Sequence, residues 1–587
     1  MSIQVFSPFR KSTSNPGRVI LPWLRRRLAT VLLGGCLLPL LAGGAAFARK
    51  APAKTEELSP AAQQVLDSAI AREHELLATL KQYKPLAETY LQEMSTDKEL
   101  GLVPVRDRYF LLQLDLERQF GEHSFMKPPS RLHRLSAHLS LTSAELNAPG
   151  LIAQPMVIDA RAFDREHYKF KFAGREFLGS VRTLIFDVEP RPHSGRGRFV
   201  GRVWIEDIDH NIVRFNGVYR DAPLFTTFLH FDSWRTNVKG GLWLPSYVYL
   251  EESDLPAGFK RLHLKGITNI WGYGLEEQRK RDELTEVLVD STVEDRSDSA
   301  QDYSPLQRQR AWEREAENNV IQRLQKAGLI APPGPVDQIL QTVINNLEIT
   351  NNLTIEPEVH ARVLLTSPME SFTIGHTIVL SRGLIDVLPD EASLAMVLAH
   401  ELAHISLGHR LDTKYAFDDR MLFRDYESLR RFQLKRDPAE EDAADVKAMT
   451  FLQQSPYAGK LNNAGLFLRA LEAQAPQLTS LVSPHYGNRM MKGRELKRMA
   501  QTMQGAPALH RADPAQMAAL PLGSRVKVDV WDAHIDIMKS TQPRLLSARD
   551  KMPFEVTPAM QNLTRRDPVS QQALRLTPDG EDSGVAK

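Results

Sequence analysis

The chain has 587 residues, of which 42% are hydrophobic and 25% charged, with a formal net charge of +2. That length exceeds what one hydrophobic core supports, so two or three domains are expected. The near-neutral balance gives no electrostatic footprint for nucleic acid as a partner. Cys36 is the single cysteine, which excludes a disulfide framework and leaves any metal to histidines and carboxylates.

In the first fifty residues a basic stretch, Arg10, Lys11, Arg18 and Arg25 to Arg27, precedes an apolar run from Leu28 to Phe47 that closes on Ala46-Phe47-Ala48. This is the pattern of a secretory signal, so residues 1–48 are expected to be removed near Ala48 and the mature protein to be periplasmic or secreted. Two other readings stand beside it: a lipoprotein anchor at Cys36, after Leu33-Gly34-Gly35, and an uncleaved membrane anchor, since about 20 apolar residues span a bilayer.

Residues 49–150 read as a helical or mixed region. A helix begins at Ser59-Pro60, a serine cap followed by proline, with Val65, Ile70, Leu77 and Leu80 at helical spacing. From 151 to 280 the period changes to two. Tyr168, Phe170 and Phe172 alternate with lysines, and Phe199–Ile205 and Ile212–Tyr219 flank a turn-rich Asp207-Ile208-Asp209-His210-Asn211. Further strands are expected at 225–234, 243–250 and 262–271, which together make an antiparallel sheet with the aromatics on a buried face. Gly201 to Gly217 resembles the texture of the LolA-like lipoprotein-sorting domains, which implies a half-barrel and a surface for acyl chains or an extended peptide, and hence an envelope membrane or lipoprotein contact. Residues 281–304 read as an acidic linker. The segment 305–505 opens with a charged helix and the breaker Pro332-Pro333-Gly334-Pro335. Residues 506–587 form a C-terminal extension with a strand near Val526 to Val530 and a disordered end.

The chemistry lies on the helix that Pro389-Asp390-Glu391 starts. His400 and His404 sit four residues apart, so their imidazoles leave one helical face toward a common point, the spacing that holds one zinc ion. Glu401, about 100° round the helix, is placed to reach a water at that ion. Two histidines and a glutamate on an otherwise apolar helix would be costly to bury without such a partner. A third ligand is needed. His409 is one residue short of the metzincin spacing and reads as a helix-end residue. A second helix, capped by Asp437-Pro438, carries Glu441 and Asp445 four apart with Ala444 beside them, so Glu441 fits the third position and Asp445 an orienting one.

His400–His404, Thr377–Leu380 with Ser381-Arg382-Gly383-Leu384, and Glu441 with Asp445 resemble the HtpX- and Oma-like zinc peptidases of peptidase family M48, over about 335–500. The resemblance implies one zinc per chain on His400, His404 and Glu441, Glu401 as general base, and a later histidine and arginine, matched here by His485 and Arg489, to stabilise the oxyanion. Glu370 to His376 departs from the family form before the substrate edge. An extended polypeptide substrate is expected to add beside Thr377, Ile378, Val379 and Leu380. The expected fold class is α+β and multidomain: an antiparallel half-barrel-like sheet, then a mainly helical zincin domain with a small edge sheet. The expected activity is that of a zinc metalloendopeptidase acting on unfolded or misassembled envelope proteins. The competing expectation is a chaperone or lipid-binding factor with a gated site.

Overall fold

The computed structural model describes residues 58–115, 121–124, 154–221, 229–252, 263–281, 305–410, 429–519, 526–537 and 554–566, apart from isolated positions within them. The expected signal (1–48), the linker from 282 onward and the chain after 566 lie outside the described residues. All described residues fall in one compact unit, Glu57–Lys587. Among them no helix is long and apolar enough to cross a membrane.

Helix α1, Pro60–Leu80, starts where the sequence places it: the Ser59 hydroxyl accepts the Ala62 N–H at 3.3 Å, a cap worth about 1 kcal/mol. The helix lies on a ten-stranded sheet built of β1 Leu86–Asp97, β2 Gly101–Asp115, β3 Gly121–Ser124, β4 Tyr168–Leu178, β5 Val181–Pro190, β6 Arg198–Glu206, β7 Ile212–Arg220, β8 Leu229–Lys239, β9 Leu242–Glu252 and β10 Leu264–Trp271. Spatial order is β3-β2-β1-β10-β9-β8-β7-β6-β5-β4. Strands β4 to β10 form a meander, and β1 closes against β10 with Tyr90 opposite Ile267. The boundary expected at 151 therefore cuts through this sheet, which begins at Leu86. Long strand β2 escapes a period-two reading because Pro104, Arg106, Asp107 and Arg108 interrupt the apolar alternation.

One face of the sheet packs Phe186, Phe199, Phe215 and Phe231 against Leu66 and Ala69 of α1. Buried Glu73 and Arg235 form a bidentate pair (2.7 and 2.8 Å) that fixes the helix to β8. Gly201 and Gly217 face each other across β6 and β7 because the Phe199 ring covers both; a Cβ at either would lie 2.8 Å from that ring.

The other face carries Leu86, Tyr90, Trp234, Tyr247 and Trp271 into the same core as Val336, Leu398 and Phe451 of the helical region. The two expected domains thus share one core. Glu88, fully buried on β1, accepts hydrogen bonds from the Tyr109 hydroxyl (2.9 Å), the Ser367 hydroxyl (2.8 Å) and the Arg382 guanidinium, so the junction is polar as well as apolar.

The helical region contains α2 Pro305–Lys326, α3 Pro335–Thr350, β11 His360–Leu364, β12 Ser371–Ile374, β13 Thr377–Ser381, α4 Arg382–Val387, α5 Glu391–Ser406, α6 Pro438–Gln453 and α7 Leu461–Gln474. Its sheet has the order β11-β13-β12, with β13 parallel to β11 and antiparallel to β12. This corrects one expectation. Thr377 to Leu380 form the central strand, whose backbone groups are taken on both sides, and the edge strands are β11 and β12. Beyond α7 come the short pairs β14 Met491–Lys492 with β15 Glu495–Leu496 and β16 Val526–Val528 with β17 Ile535–Ile537. Part of the C-terminal extension is ordered against the large sheet: Val556 and Leu563 are buried there.

Candidate metal centre

Helix α5 is capped by Asp390, whose carboxylate accepts the Ser393 N–H at 2.8 Å, and nearly every residue from Ala392 to His404 is buried. That burial makes its polar residues informative. His400, Glu401 and His404 are each 1% exposed or less. Helix α6, capped by Asp437 on the Ala439 N–H, packs on α5 through buried Ala444 and so brings its acidic first turn to the histidines.

The two Nε2 atoms of His400 and His404 face each other at 3.1 Å. Glu441 places Oε2 at 3.6 Å from the first and Oε1 at 3.3 Å from the second. His400 Nδ1 lies 2.7 Å from Asp445 Oδ1, which fixes the tautomer: the Nδ1 proton goes to the carboxylate, and Nε2 offers a lone pair. His404 Nδ1 lies 2.8 Å from His409 Nδ1, so a proton there likewise leaves Nε2 as an acceptor. Two lone pairs and a carboxylate aimed at one point repel unless a cation stands between them. Nitrogens held tetrahedrally at about 2.0–2.1 Å from a shared zinc would be about 3.3 Å apart, so the donor set and its spacing fit that ion. His400, His404 and Glu441 are the one such cluster found among the described residues.

Glu401 points to β12. Its Oε1 accepts from the Ser371 hydroxyl (2.7 Å) and Arg498 Nη1 (3.2 Å), and its Oε2 from the Thr373 hydroxyl (2.6 Å). Arg498, 6% exposed, also donates through Nη2 to Glu441 Oε2 at 2.9 Å. Burial alone would raise the pKa of both glutamates. The charge of Arg498, the leading opposing influence, and hydrogen bonds from neighbouring side chains outweigh it, holding Glu401 below its ordinary value and Glu441 far below the usual carboxylate range. Burial and Arg498 push His400 down, yet Asp445 and Glu441 carry it above its ordinary value, whereas burial leaves His404 below it.

The structure therefore assembles His400, His404, Glu441, Glu401 and Asp445 at one point. His485 packs its ring at a tilt beside Tyr109, centroids 5.5 Å apart, on the loop whose Tyr486 N–H donates to Glu370. Arg489 is exposed, and the guanidinium between the two glutamates belongs to Arg498. Four site residues had no sequence signal. Ser371 and Thr373 are ordinary strand residues by type, Arg498 sits in a basic surface-like run, and Arg436 follows Lys435 in a loop. Arg436 Nη2 donates to the outward carbonyl of Thr373 at 3.1 Å, and Asn488 clasps the Arg436 backbone N–H and carbonyl at 2.9 and 3.1 Å.

Residues 336–437 match the profile of peptidase family M48. This segment is of metallopeptidase type and spans β11 to β13, α5 and its two histidines. It ends four residues before Glu441, whose place in the centre rests on the geometry above. No curated protein matches the chain. Among solved structures, a DUF1329 family protein from Desulfovibrio piger is similar at 9% identity, covering 35% of this chain and 90% of its own, with a TM-score of 0.17. A putative outer membrane lipoprotein-sorting protein domain from Vibrio parahaemolyticus is similar at 8% identity, covering 35% and 91%, with a TM-score of 0.20.

Proposed function

We propose that the chain is a zinc-dependent endopeptidase, exported from the cytoplasm, that cleaves unfolded or misassembled envelope polypeptides. The observation that carries this reading is the convergence of His400 Nε2, His404 Nε2 and the Glu441 carboxylate beside Glu401. Those three side chains would hold the zinc. When bound, zinc would lower the pKa of a water toward ~7 and polarise the scissile carbonyl.

The protein's own groups supply the rest. A carboxylate has about four acceptor positions, and Glu401 uses three on Ser371, Thr373 and Arg498, leaving one to take a proton from water and return it to the departing amine. Ser371 and Thr373 hold the carboxylate in place, and Arg498 keeps it charged at neutral pH. The substrate would extend β12, displacing Arg436 from the Thr373 carbonyl; pairing through backbone atoms is tolerant of sequence, which suits unfolded chains.

Replacing Glu401 by Gln tests the reading. Hydrolysis of a casein-like substrate should fall at least about 100-fold, with one zinc per chain retained by metal analysis. A variant that cleaves at the wild-type rate would sink the mechanism. The export reading is checked by the N-terminus of the mature protein, expected near Arg49.

A further inference from the structure

The hairpin that joins β12 to β13 pairs Ile374 with Thr377, and alternation from that pair turns the main-chain groups of Thr373 and Ser371 away from β13, along the outer side of the small sheet. Both positions are covered. Gly487 backs onto Ser371 so closely that a Cβ there would lie 2.8 Å from the Ser371 carbonyl oxygen, and past Thr373 the Glu317 carboxylate of α2 fills the space over Gly375. Between these two walls a side chain meets the Thr373 carbonyl: the Arg436 guanidinium, through Nη2 at 3.1 Å.

A side chain turns aside more readily than a backbone wall, and the surroundings of Arg436 favour that motion. Asn488 holds its main-chain N–H and carbonyl at 2.9 and 3.1 Å, so the backbone stays fixed while the guanidinium turns. Nη1 is enclosed by protein and has no hydrogen-bond partner. Glu401, Glu440 and Glu441 lie within electrostatic reach, which places the guanidinium beside the metal centre. Arg498, by contrast, has every nitrogen engaged: Nε and Nη2 on Glu441, Nη1 on Glu401 and the Ser371 hydroxyl. An enclosed donor without an acceptor is costly, and displacing Nη2 from Thr373 would leave two on Arg436. The incoming chain carries the acceptors. Laid beside Thr373, it gives an N–H to that carbonyl and turns the carbonyls of its neighbouring residues to the opposite side, where the displaced guanidinium stands.

We propose that Arg436 is a substrate-binding residue: it caps the Thr373 carbonyl in the resting protein and passes to a main-chain carbonyl of the bound polypeptide, which is then held between β12 and the guanidinium. This rests on the reading of the site as that of a peptidase. It asks nothing of the substrate beyond its backbone, in keeping with unfolded chains.

The probe is fluorescein-labelled β-casein, used with the full chain. Arg436→Ala should raise KM for its hydrolysis about 10- to 100-fold with kcat within about 3-fold, and Arg436→Lys, which keeps the charge and one donor group, should recover part of the loss. In a Glu401→Gln background, where anisotropy reads binding without cleavage, Arg436→Ala should weaken binding by a similar factor at unchanged zinc content. A residue that only caps the edge gives the reverse, because its removal bares the Thr373 carbonyl and tightens binding. Unchanged or tighter binding by the folded alanine chain overturns the proposal. If that chain fails to fold, Arg436→Lys carries the test: a loss of at least about 3-fold is expected, and no loss overturns the proposal. A wild type that cleaves no casein sinks the peptidase reading instead, and anisotropy alone then decides the role of Arg436. Absence of casein binding in every chain overturns that role as well.

Discussion

His404 Nδ1 and His409 Nδ1 lie 2.8 Å apart, so the histidine that spacing excluded as a ligand sits directly behind one. With His404 Nε2 turned to the metal position, its Nδ1 carries the proton and donates to His409. His409→Ala should weaken zinc binding by about 10- to 100-fold in a chelator competition, and His409→Asn, which keeps an acceptor, should recover part of the loss. Equal zinc affinity in the alanine variant would show that the contact does no orienting.

Arg498 is the single guanidinium bonded to both Glu401 and Glu441 among the described residues. Arg498→Ala leaves the buried Glu401 and the partly buried Glu441 short of their cation, and zinc-free protein should lose about 3–5 kcal/mol. Urea unfolding with chelator present reads this directly. Added zinc should raise the melting temperature more in the variant than in the wild type, because it supplies the missing positive charge. A wild-type midpoint in chelator contradicts the ion pair.

Glu370, 1% exposed, has its carboxyl pushed up from 4.5 to about 7 by burial, against the pull of backbone N–H groups from the 485–487 loop. Below 4.5 folded and unfolded states both hold the proton. Between 4.5 and about 7 only the folded state does, so stability falls as pH rises and the loss is complete above about 7. Glu370→Gln removes the titration. Its stability relative to wild type should therefore improve by about 3 kcal/mol between pH about 4 and about 8. A difference independent of pH would contradict it.

Glu88 joins the large sheet to the peptidase-type region through Ser367 and Arg382. Glu88→Ala leaves Arg382 buried without that partner and should cost about 3–5 kcal/mol. Because the two regions share a core, tryptophan fluorescence, to which Trp204, Trp234, Trp243 and Trp271 of the sheet contribute four of the chain's seven tryptophans, and helical circular dichroism should melt together in the wild type. Two separated transitions would show independent domains.

Much of the fold is legible along the chain. The caps at Ser59, Asp390 and Asp437 are local events, decided by a side chain within three residues of the N–H it accepts. Strands β4 and β6 to β10 lie where the alternating and apolar runs placed them, although Phe172 of β4, expected on the buried face, is 38% exposed, and β8 and β9 are buried on both faces. Strands β1 and β2 do not, since their inward positions include Glu88, Gln92 and Asp107, polar residues that are buried because partners in the helical region and the C-terminal segment satisfy them.

The site divides in the same way. Sequence alone determined the pairing of His400 with His404 and of Glu441 with Asp445, because helical geometry puts residues four apart on one face whatever surrounds them. Tertiary structure decided that α5 and α6 bring these pairs together, that β12 lies at an edge of the small sheet with Arg436 on its Thr373 carbonyl, that Arg498 takes the place between the glutamates, and that residues 554–566 cover the sheet. Each of these is a contact between segments far apart in the chain, set by packing and charge in the folded core, and no local pattern of residues records it.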